Sequence, residues 1–356
     1  MESKKDHIAF RKNFAGGIQF VAKRRKKASA LQRDPKSIVI LARECYGDCI
    51  LLTPLIGSLR SEYPEISIYI VAFSQIIFNF FSADPNIAGV YHAKRNMHRY
   101  FKGILLKKFD LLFNPKDHPS THFLIQSVVI RARHKVGHFN QNHEGLFDHL
   151  IALDPNTHES AKNLALLSAL DGNRVQLQCK PYLPPMPISP EVTSFLNRLP
   201  QGKFLGINIS AGHIGGHRTI LQWSELILSF PLESFVIFST PGDLEKKQAL
   251  ERPHSNVLKS PSTSNIYEVG EIVKKLKLLI TPDTSLVHIA ACSDTPIIAL
   301  YRKFLADRTQ FGPLSTRQEV IVSPTSDVGN IETNAVIVAL RNMLAVLEDS
   351  TVLTQK

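Results

Sequence analysis

Four short stretches of the 356-residue chain gather side chains that could do chemistry. The first is Arg43-Glu44-Cys45-Tyr46-Gly47-Asp48. Asp48 falls where an apolar run gives way to a helical pattern. A carboxylate there could cap the helix by accepting backbone N–H bonds, or it could take a proton as a general base. Gly47 suits a tight turn or close approach of the backbone to a ligand. The second stretch is Thr281-Pro282-Asp283-Thr284-Ser285-Leu286-Val287-His288. Thr284 and Ser285 could cap a helix whose first N–H groups favour a phosphate. Asp283 precedes that helix and His288 lies about one turn into it. A capping cluster with a packed histidine fits the same residues.

The third stretch, Ser210 to Thr219, holds Ser210, Gly212, His217 and Arg218. It is glycine-rich, hydroxyl-bearing and basic, so it could cradle a diphosphate. A plain connecting loop fits equally well, because the spacing is neither a Walker A loop nor a G-x-G-x-x-G fingerprint. The fourth, Ala306 to Pro313, reads as a long turn. No two aspartates are separated by one residue, and H-E-x-x-H and G-x-S-x-G are absent. No metal site is expected.

These stretches need elements to position them. Short apolar runs predict strands at Ser37–Ala42, Ile66–Phe73, Gly89–Tyr91, Phe109–Phe113 and Lys135–Gly137. A helical pattern covers about Asp48–Tyr63, and another Ser74–Phe81. Five prolines between Lys180 and Pro190 mark a stiff linker. The alternation then restarts, with strands at Phe204–Ile209, Ser234–Phe238, Leu276–Thr281 and Pro296–Leu300. The helices between them are expected near Leu221–Ser229, Asp243–Leu250, Asn265–Lys274 and Ser285–Cys292. Strands alternating with helices indicate βαβ units and parallel sheets. The expected organisation is a basic arm at 1–36, an α/β domain at 37–180, a linker at 181–190 and a second α/β domain at 191–330. A helix and tail close the chain at 331–356. Two α/β halves imply a cleft, with ligands at the carboxyl ends of the strands.

The net charge of +11 is unevenly placed. Residues 1–36 carry eleven Lys or Arg and three Asp or Glu, so the remaining 320 residues hold only +3. This is not the uniform charge of a nucleic-acid binder. Phe10, Phe14, Ile18 and Val21 form an apolar stripe, followed by Lys23 to Lys27, all basic. That composition suits an anionic membrane surface, a solvated tail or a nucleic-acid contact. Cys45, Cys49, Cys179 and Cys292 form neither a disulfide framework nor a C-x-x-C pair. With no signal-peptide pattern and no run of 18 apolar residues, a cytoplasmic location is expected.

Taken in order, these segments resemble glycosyltransferase family 9, the lipopolysaccharide heptosyltransferase family. Arg43–Pro64 is similar to its L-G-D-x-L-x-T-x-P opening, with Tyr46 in place of Leu. Residues 109–137 resemble its Y-D-x-x-I-D-L and R-V-G segments. Thr281–Leu300 looks like its N-D-T-G-x-x-H-x-A-A-A-x-G-T-P signature. Ser285 and Asp294 stand there in place of two glycines. Asp307 and Phe311-Gly312-Pro313 resemble the end of that block, with Gln310 in place of Arg.

The resemblance implies an α/β GT-B fold, two Rossmann-like doubly wound domains facing a central cleft. It also implies an inverting sugar transferase. Asp48 matches the family's base. Thr284, Ser285 and His288 would hold donor phosphates, with His217 or Arg218 adding positive charge, and Asp283 would bond sugar hydroxyls. Ser210 joins the donor set, and Gly47 and Gly212 allow close backbone approach. The donor implied is ADP-heptose, with no further cofactor and no metal. The acceptor implied is a lipid-linked glycan at the inner membrane face. The arm at 1–36 lies outside the family pattern, and its charge and apolar stripe give the expectation that it meets anionic lipid, with no specific nucleic acid as partner. Transfer from another nucleotide sugar, a nucleotide-sugar epimerase and a silent nucleotide-sugar-binding protein are the alternatives.

Overall fold

The computed structural model describes residues 34–118, 120–171, 179–212 and 217–354, with Gly17 and Leu31. The apolar stripe of Phe10, Phe14, Ile18 and Val21 and the basic cluster at Lys23 to Lys27 lie outside the described residues. The chain divides into two compact units, Met1–Lys180 and Pro181–Lys356.

The first unit holds six strands: β1 (Ser37–Leu41), β2 (Ser67–Ala72), β3 (Gly89–His92), β4 (Lys108–Asn114), β5 (Arg131–His138) and β6 (His149–Ile151). Every pairing is parallel, in the order β3-β2-β1-β4-β5-β6. Ile38 to Leu41 are fully buried, as a strand covered on both faces must be, which is why it reads as an unbroken apolar run. Tyr100, Ile104, Phe109, Phe123 and Leu124 pack on the same core as Val39 and Leu41.

The second unit repeats the plan with β7 (Phe204–Asn208), β8 (Ser234–Phe238), β9 (Val257–Leu258), β10 (Leu278–Pro282), β11 (Ile297–Tyr301) and β12 (Gln318–Val322). The order is β12-β11-β10-β7-β8-β9, again wholly parallel. The helix Thr333–Thr354 adds Val336, Ile337 and Leu340 to a core containing Trp223, Ile280 and Ile298. In both units the first strand sits mid-sheet, and the chain winds outward on one side before returning to the other. The order therefore reverses between β1 and β4, and between β7 and β10. Loops leaving the carboxyl ends there diverge, which is where doubly wound sheets bind ligands.

Several elements differ from the sequence expectation. The stretch 48–63 is two helices, Tyr46–Ile50 and Thr53–Glu62, because Pro54 lies in the first turn of a new helix. Pro190 opens the helix Pro190–Arg198 instead of ending the linker, by the same N-terminal preference. Ala306–Pro313 is largely the short helix Leu305–Gln310 and not a turn. The helices Met97–Tyr100 and Glu159–Asp171 and the strands β6, β9 and β12 have no counterpart in that expectation. Among the described residues no helix is long and apolar enough to cross a membrane.

The turn Met97–Tyr100 runs directly into a π-helical turn, Phe101–Leu105. Tyr100 and Ile104 are buried and hold this segment to the first unit. Gly103 lies against the Tyr91 ring, where an added Cβ would fall 2.0 Å from Cε1. Gly103→Ala should therefore lower stability by about 1–3 kcal/mol, the usual cost of overpacking. A thermal-unfolding midpoint unchanged from the parent chain would count against this contact as a constraint.

Candidate active site

In the first unit the site grows from the end of β1. Cys45 is the N-cap of the helix Tyr46–Ile50, and its side chain makes no cap bond. Asp48 lies inside the first turn of that helix, so the capping reading gives way. Its carboxylate faces Arg43 instead, Nε to Oδ1 at 3.2 Å. Gly47 is a helix residue whose carbonyl accepts from Leu51 N, not the hinge of a tight turn.

Arg43 is held from its other side by Glu159, at the start of the helix Glu159–Asp171. Glu159 pairs with Lys162 at 2.9 Å, and Lys162 donates to Asp117 at 2.6 Å. Asp117 follows β4 and also meets His118 Nδ1 at 3.0 Å. The result is a row of alternating sign, Asp48–Arg43–Glu159–Lys162–Asp117. The side chains of Glu159 and Lys162 are only 3% and 2% exposed, and buried charges of this kind persist only when paired. Asn163 on the same helix donates to Leu51 O at 3.0 Å, tying the helix to the chain just after Asp48.

Burial pushes the Asp48 carboxyl above its ordinary value, Arg43 opposes this, and Glu159 adds to it. Asp117 is held well below the usual carboxylate range by its hydrogen bond to His118, against burial and with help from Lys162. Asp48 is therefore more basic than an ordinary carboxylate, while Asp117 stays ionised. The sequence singled out Asp48 but missed Asp117, Glu159 and Lys162. The available signal was His158-Glu159-Ser160-Ala161-Lys162-Asn163, which puts an acid and a base at helical spacing.

In the second unit the site forms where β7 and β10 end side by side. Thr284 is the N-cap of the helix Ser285–Ser293, and its Oγ1 accepts from Leu286 N at 3.3 Å. Asn208, the last residue of β7, donates to Thr281 Oγ1 at 2.9 Å and Thr284 Oγ1 at 3.1 Å. That bond fixes the cap and the direction of the helix start. Ser285 opens the helix beside it. His288 is buried and its ring centroid lies 6.5 Å from that of Phe311. The Asp283 carboxyl is pushed up to about 7 by burial, with Asp307 adding and Arg302 opposing. Arg302 itself is committed to Asp307, with Nη2 2.8 Å from Oδ2.

The remaining predicted residues separate. Ser210 is buried, donating to Asp243 Oδ2 at 2.6 Å and accepting from Thr240 N at 2.8 Å. Gly212 is exposed, and a Cβ added there would meet nothing within 4 Å. His217 is exposed, while His213 to Gly216 lie outside the described residues. Arg218 is buried at 5% exposure, donating to Ile331 O at 2.7 Å and Thr333 Oγ1 at 3.0 Å. Its guanidinium also lies over the Trp223 ring, 5.4 Å from the centroid, so it braces the start of the last helix. Asp294, where a glycine was expected from the resemblance, takes the left-handed conformation at φ 57°. Aspartate tolerates that region, and here its Oδ1 accepts from Thr316 N at 2.7 Å. Among the described residues no three His, Cys, Asp or Glu cluster as metal ligands would.

Residues 97–335, two thirds of the chain, match glycosyltransferase family 9 (heptosyltransferase). The chain belongs to that family. It is a glycosyltransferase. Lipopolysaccharide heptosyltransferase 3 of Escherichia coli is 25% identical over 281 residues, covering 72% of this chain and 80% of that protein. The fold is shared with a family 9 glycosyltransferase from Veillonella parvula, at TM-score 0.71 and 19% identity over 90% of this chain and 99% of that one. It is shared too with the E. coli heptosyltransferase WaaC solved with ADP, at TM-score 0.66 and 16% identity over 86% and 99% of the two chains.

Two expectations follow from this geometry. Lys162→Met takes one of two cations from the buried Glu159 and removes a cation from the partly exposed Asp117, while Arg43 and His118 remain beside them, so urea unfolding should show a loss of about 1–3 kcal/mol. Asp283 keeps its proton to about pH 7 in the folded chain but loses it near the ordinary ~3.9 when unfolded. The folded state binds more protons between those values, so stability falls as pH rises through that window. Asp283→Asn should remove this fall. The variant should match the parent chain near pH 4 and exceed it above pH 7, and parallel stability–pH curves would contradict the assignment.

Proposed function

We propose that this glycosyltransferase moves heptose from ADP-heptose onto a hydroxyl of a lipopolysaccharide-core-like glycolipid, with inversion at the anomeric carbon. The family match over residues 97–335 carries the reading. The related proteins support the donor, being a lipopolysaccharide heptosyltransferase and a heptosyltransferase solved with ADP.

Asp48 takes the proton from the acceptor oxygen as that oxygen attacks the anomeric carbon, and the nucleoside diphosphate leaves from the opposite face. Burial favours this role because it raises the basicity of the carboxylate. Arg43 keeps that carboxylate pointed and ionised. The N–H groups opening the helix Ser285–Ser293, with Thr284 and Ser285 hydroxyls and His288, meet the diphosphate as charge builds on it. Asp283 bonds donor sugar hydroxyls, and near neutral pH it can donate or accept. Ser210 shapes the loop after β7, where Gly212 leaves room for the donor and His217 supplies positive charge. Arg218 serves as a brace and not as a donor ligand. Gly47 lets an acceptor approach the backbone beside Asp48. The arm at 1–36 contacts anionic lipid.

The direct test supplies ADP-heptose and a lipopolysaccharide core acceptor, then measures ADP release and the mass of the acceptor. A gain of one heptose is expected. Turnover only with a UDP or GDP sugar would remove the heptose assignment and keep the transferase. Nucleotide binding without turnover across a donor panel would favour a silent binding protein. Asp48→Asn should cut turnover at least about 10²-fold, within the usual range for a general base, with little change in donor affinity. Undiminished turnover would overturn the role given to Asp48.

A further inference from the structure

Residues 94–108 carry six Lys or Arg and no Asp or Glu. The rest of residues 37–356 is consequently net negative, since that whole span sums to only +3. Lys94, Arg95, His98, Arg99, Lys102, Lys107 and Lys108 are all exposed. Three large apolar side chains stand among them, Met97 at 56% exposure, Phe101 at 49% and Leu106 at 56%. Such residues are ordinarily turned inward, and this segment has inward positions available, occupied by Tyr100 and Ile104.

The backbone lines the exposed residues up. Phe101 N–H bonds back to Met97 O, one α-helical turn away. Leu106 N donates to Phe101 O at 3.0 Å, the i to i+5 bond of a π-turn. An α-turn would carry Leu106 well round the helix from Phe101, whereas the wider π-turn brings it back beneath Phe101. Met97, Phe101 and Leu106 therefore form one apolar stripe. The exposed Arg99 and Lys102 flank that stripe, and Lys94, Arg95, Lys107 and Lys108 surround it. Gly103, Tyr100 and Ile104 hold the segment against the core, so the stripe is presented on a fixed support.

We propose that this segment docks the first unit onto an anionic lipid bilayer, with Met97, Phe101 and Leu106 entering the acyl boundary and the flanking bases meeting headgroup phosphates. Charge complementarity selects an anionic surface, at roughly a five-fold gain in partition per base near it. The aliphatic Met97 and Leu106 select a bilayer over a nucleic acid, whose phosphate backbone offers them no favourable environment. A small cavity beside the segment, lined by Gln75, Tyr91, His92, Arg95 and Arg99, gives a headgroup phosphate a place among two guanidinium groups. The proposal stands on the folded body, independent of both the arm at 1–36 and the transfer reaction.

The test uses the full chain with mixed phosphatidylglycerol–phosphatidylcholine vesicles. Phe101→Trp places a reporter on the stripe, and the chain's own Trp223 is buried and gives a constant background. Anionic vesicles should shift the new emission to the blue, and lipids brominated on their chains should quench it. Met97→Ser/Phe101→Ser/Leu106→Ser should lose the part of sedimentation that survives high salt. Arg99→Glu/Lys102→Glu should weaken low-salt binding at least ten-fold. All the substituted side chains are exposed, and circular dichroism confirms that each variant folds. Absence of a shift or of quenching, or sedimentation of both variants equal to the parent, would overturn the proposal and leave any binding to the arm. Equal binding to duplex nucleic acid, with no quenching by brominated lipid, would assign the patch to that partner and overturn it as well.

Discussion

The whole arrangement depends on where the first strand of each sheet is placed. Because β1 pairs with both β2 and β4, and β7 with both β8 and β10, the chain reverses its winding direction at the middle of each sheet. Two loops leave the carboxyl ends there toward opposite faces and cannot close over each other. In the first unit they carry Asp48 and Asp117. In the second they carry Ser210 and the Thr281–His288 stretch. No other pair of neighbouring strands in either sheet offers the same opening, so the chemistry-bearing residues collect at these two points.

An opening of this kind exposes buried charge to partial desolvation, and the two units manage that differently. The first uses a separate helix, Glu159–Asp171, to lay Glu159 and Lys162 between Arg43 and Asp117. Each charge then has an opposite neighbour, and only Asp48 at the end of the row keeps a single partner. The second uses neutral groups. Asn208 and Thr281 orient the Thr284 cap, and Asp283, buried beside the Arg302–Asp307 pair, is pushed toward its protonated form.

Much of the fold was legible because wholly parallel sheets bury strands on both faces. Runs such as Ile38–Leu41 and Leu278–Ile280 then stand out from their surroundings. The strand, cap and helix of Thr281–His288 were legible for a related reason, since an apolar run, a hydroxyl cap and a helical pattern follow each other without a gap. The helix Glu159–Asp171 was not legible. Reading periodicity assumes that polar side chains face water, yet Glu159, Ser160, Lys162 and Asn163 are all buried and erase the expected stripe. The segment 97–105 failed in the opposite sense, with large apolar residues turned outward on a turn of non-standard pitch. Arg218 misled because a basic residue beside glycines suggests an anion, whereas its partners, Ile331 and Thr333, lie over a hundred positions along the chain. β12 escaped notice because it is an edge strand with three of its five residues exposed.

Cys45 gives the first unit a feature of a different kind. It is an exposed free thiol at the N-cap of the helix that contains Asp48. Partial burial of the sulfur and the nearby Asp48 charge raise its pKa, so at neutral pH it alkylates slowly. Cys49 is sealed in the core, and Cys179 and Cys292 are partly covered. A maleimide or iodoacetamide probe on Cys45 thus sits within a helical turn of the carboxylate. The alkylation rate becomes an optical gauge of that position: slowed by a molecule that shields it, quickened by one that draws charge away from Asp48, and readable without any turnover.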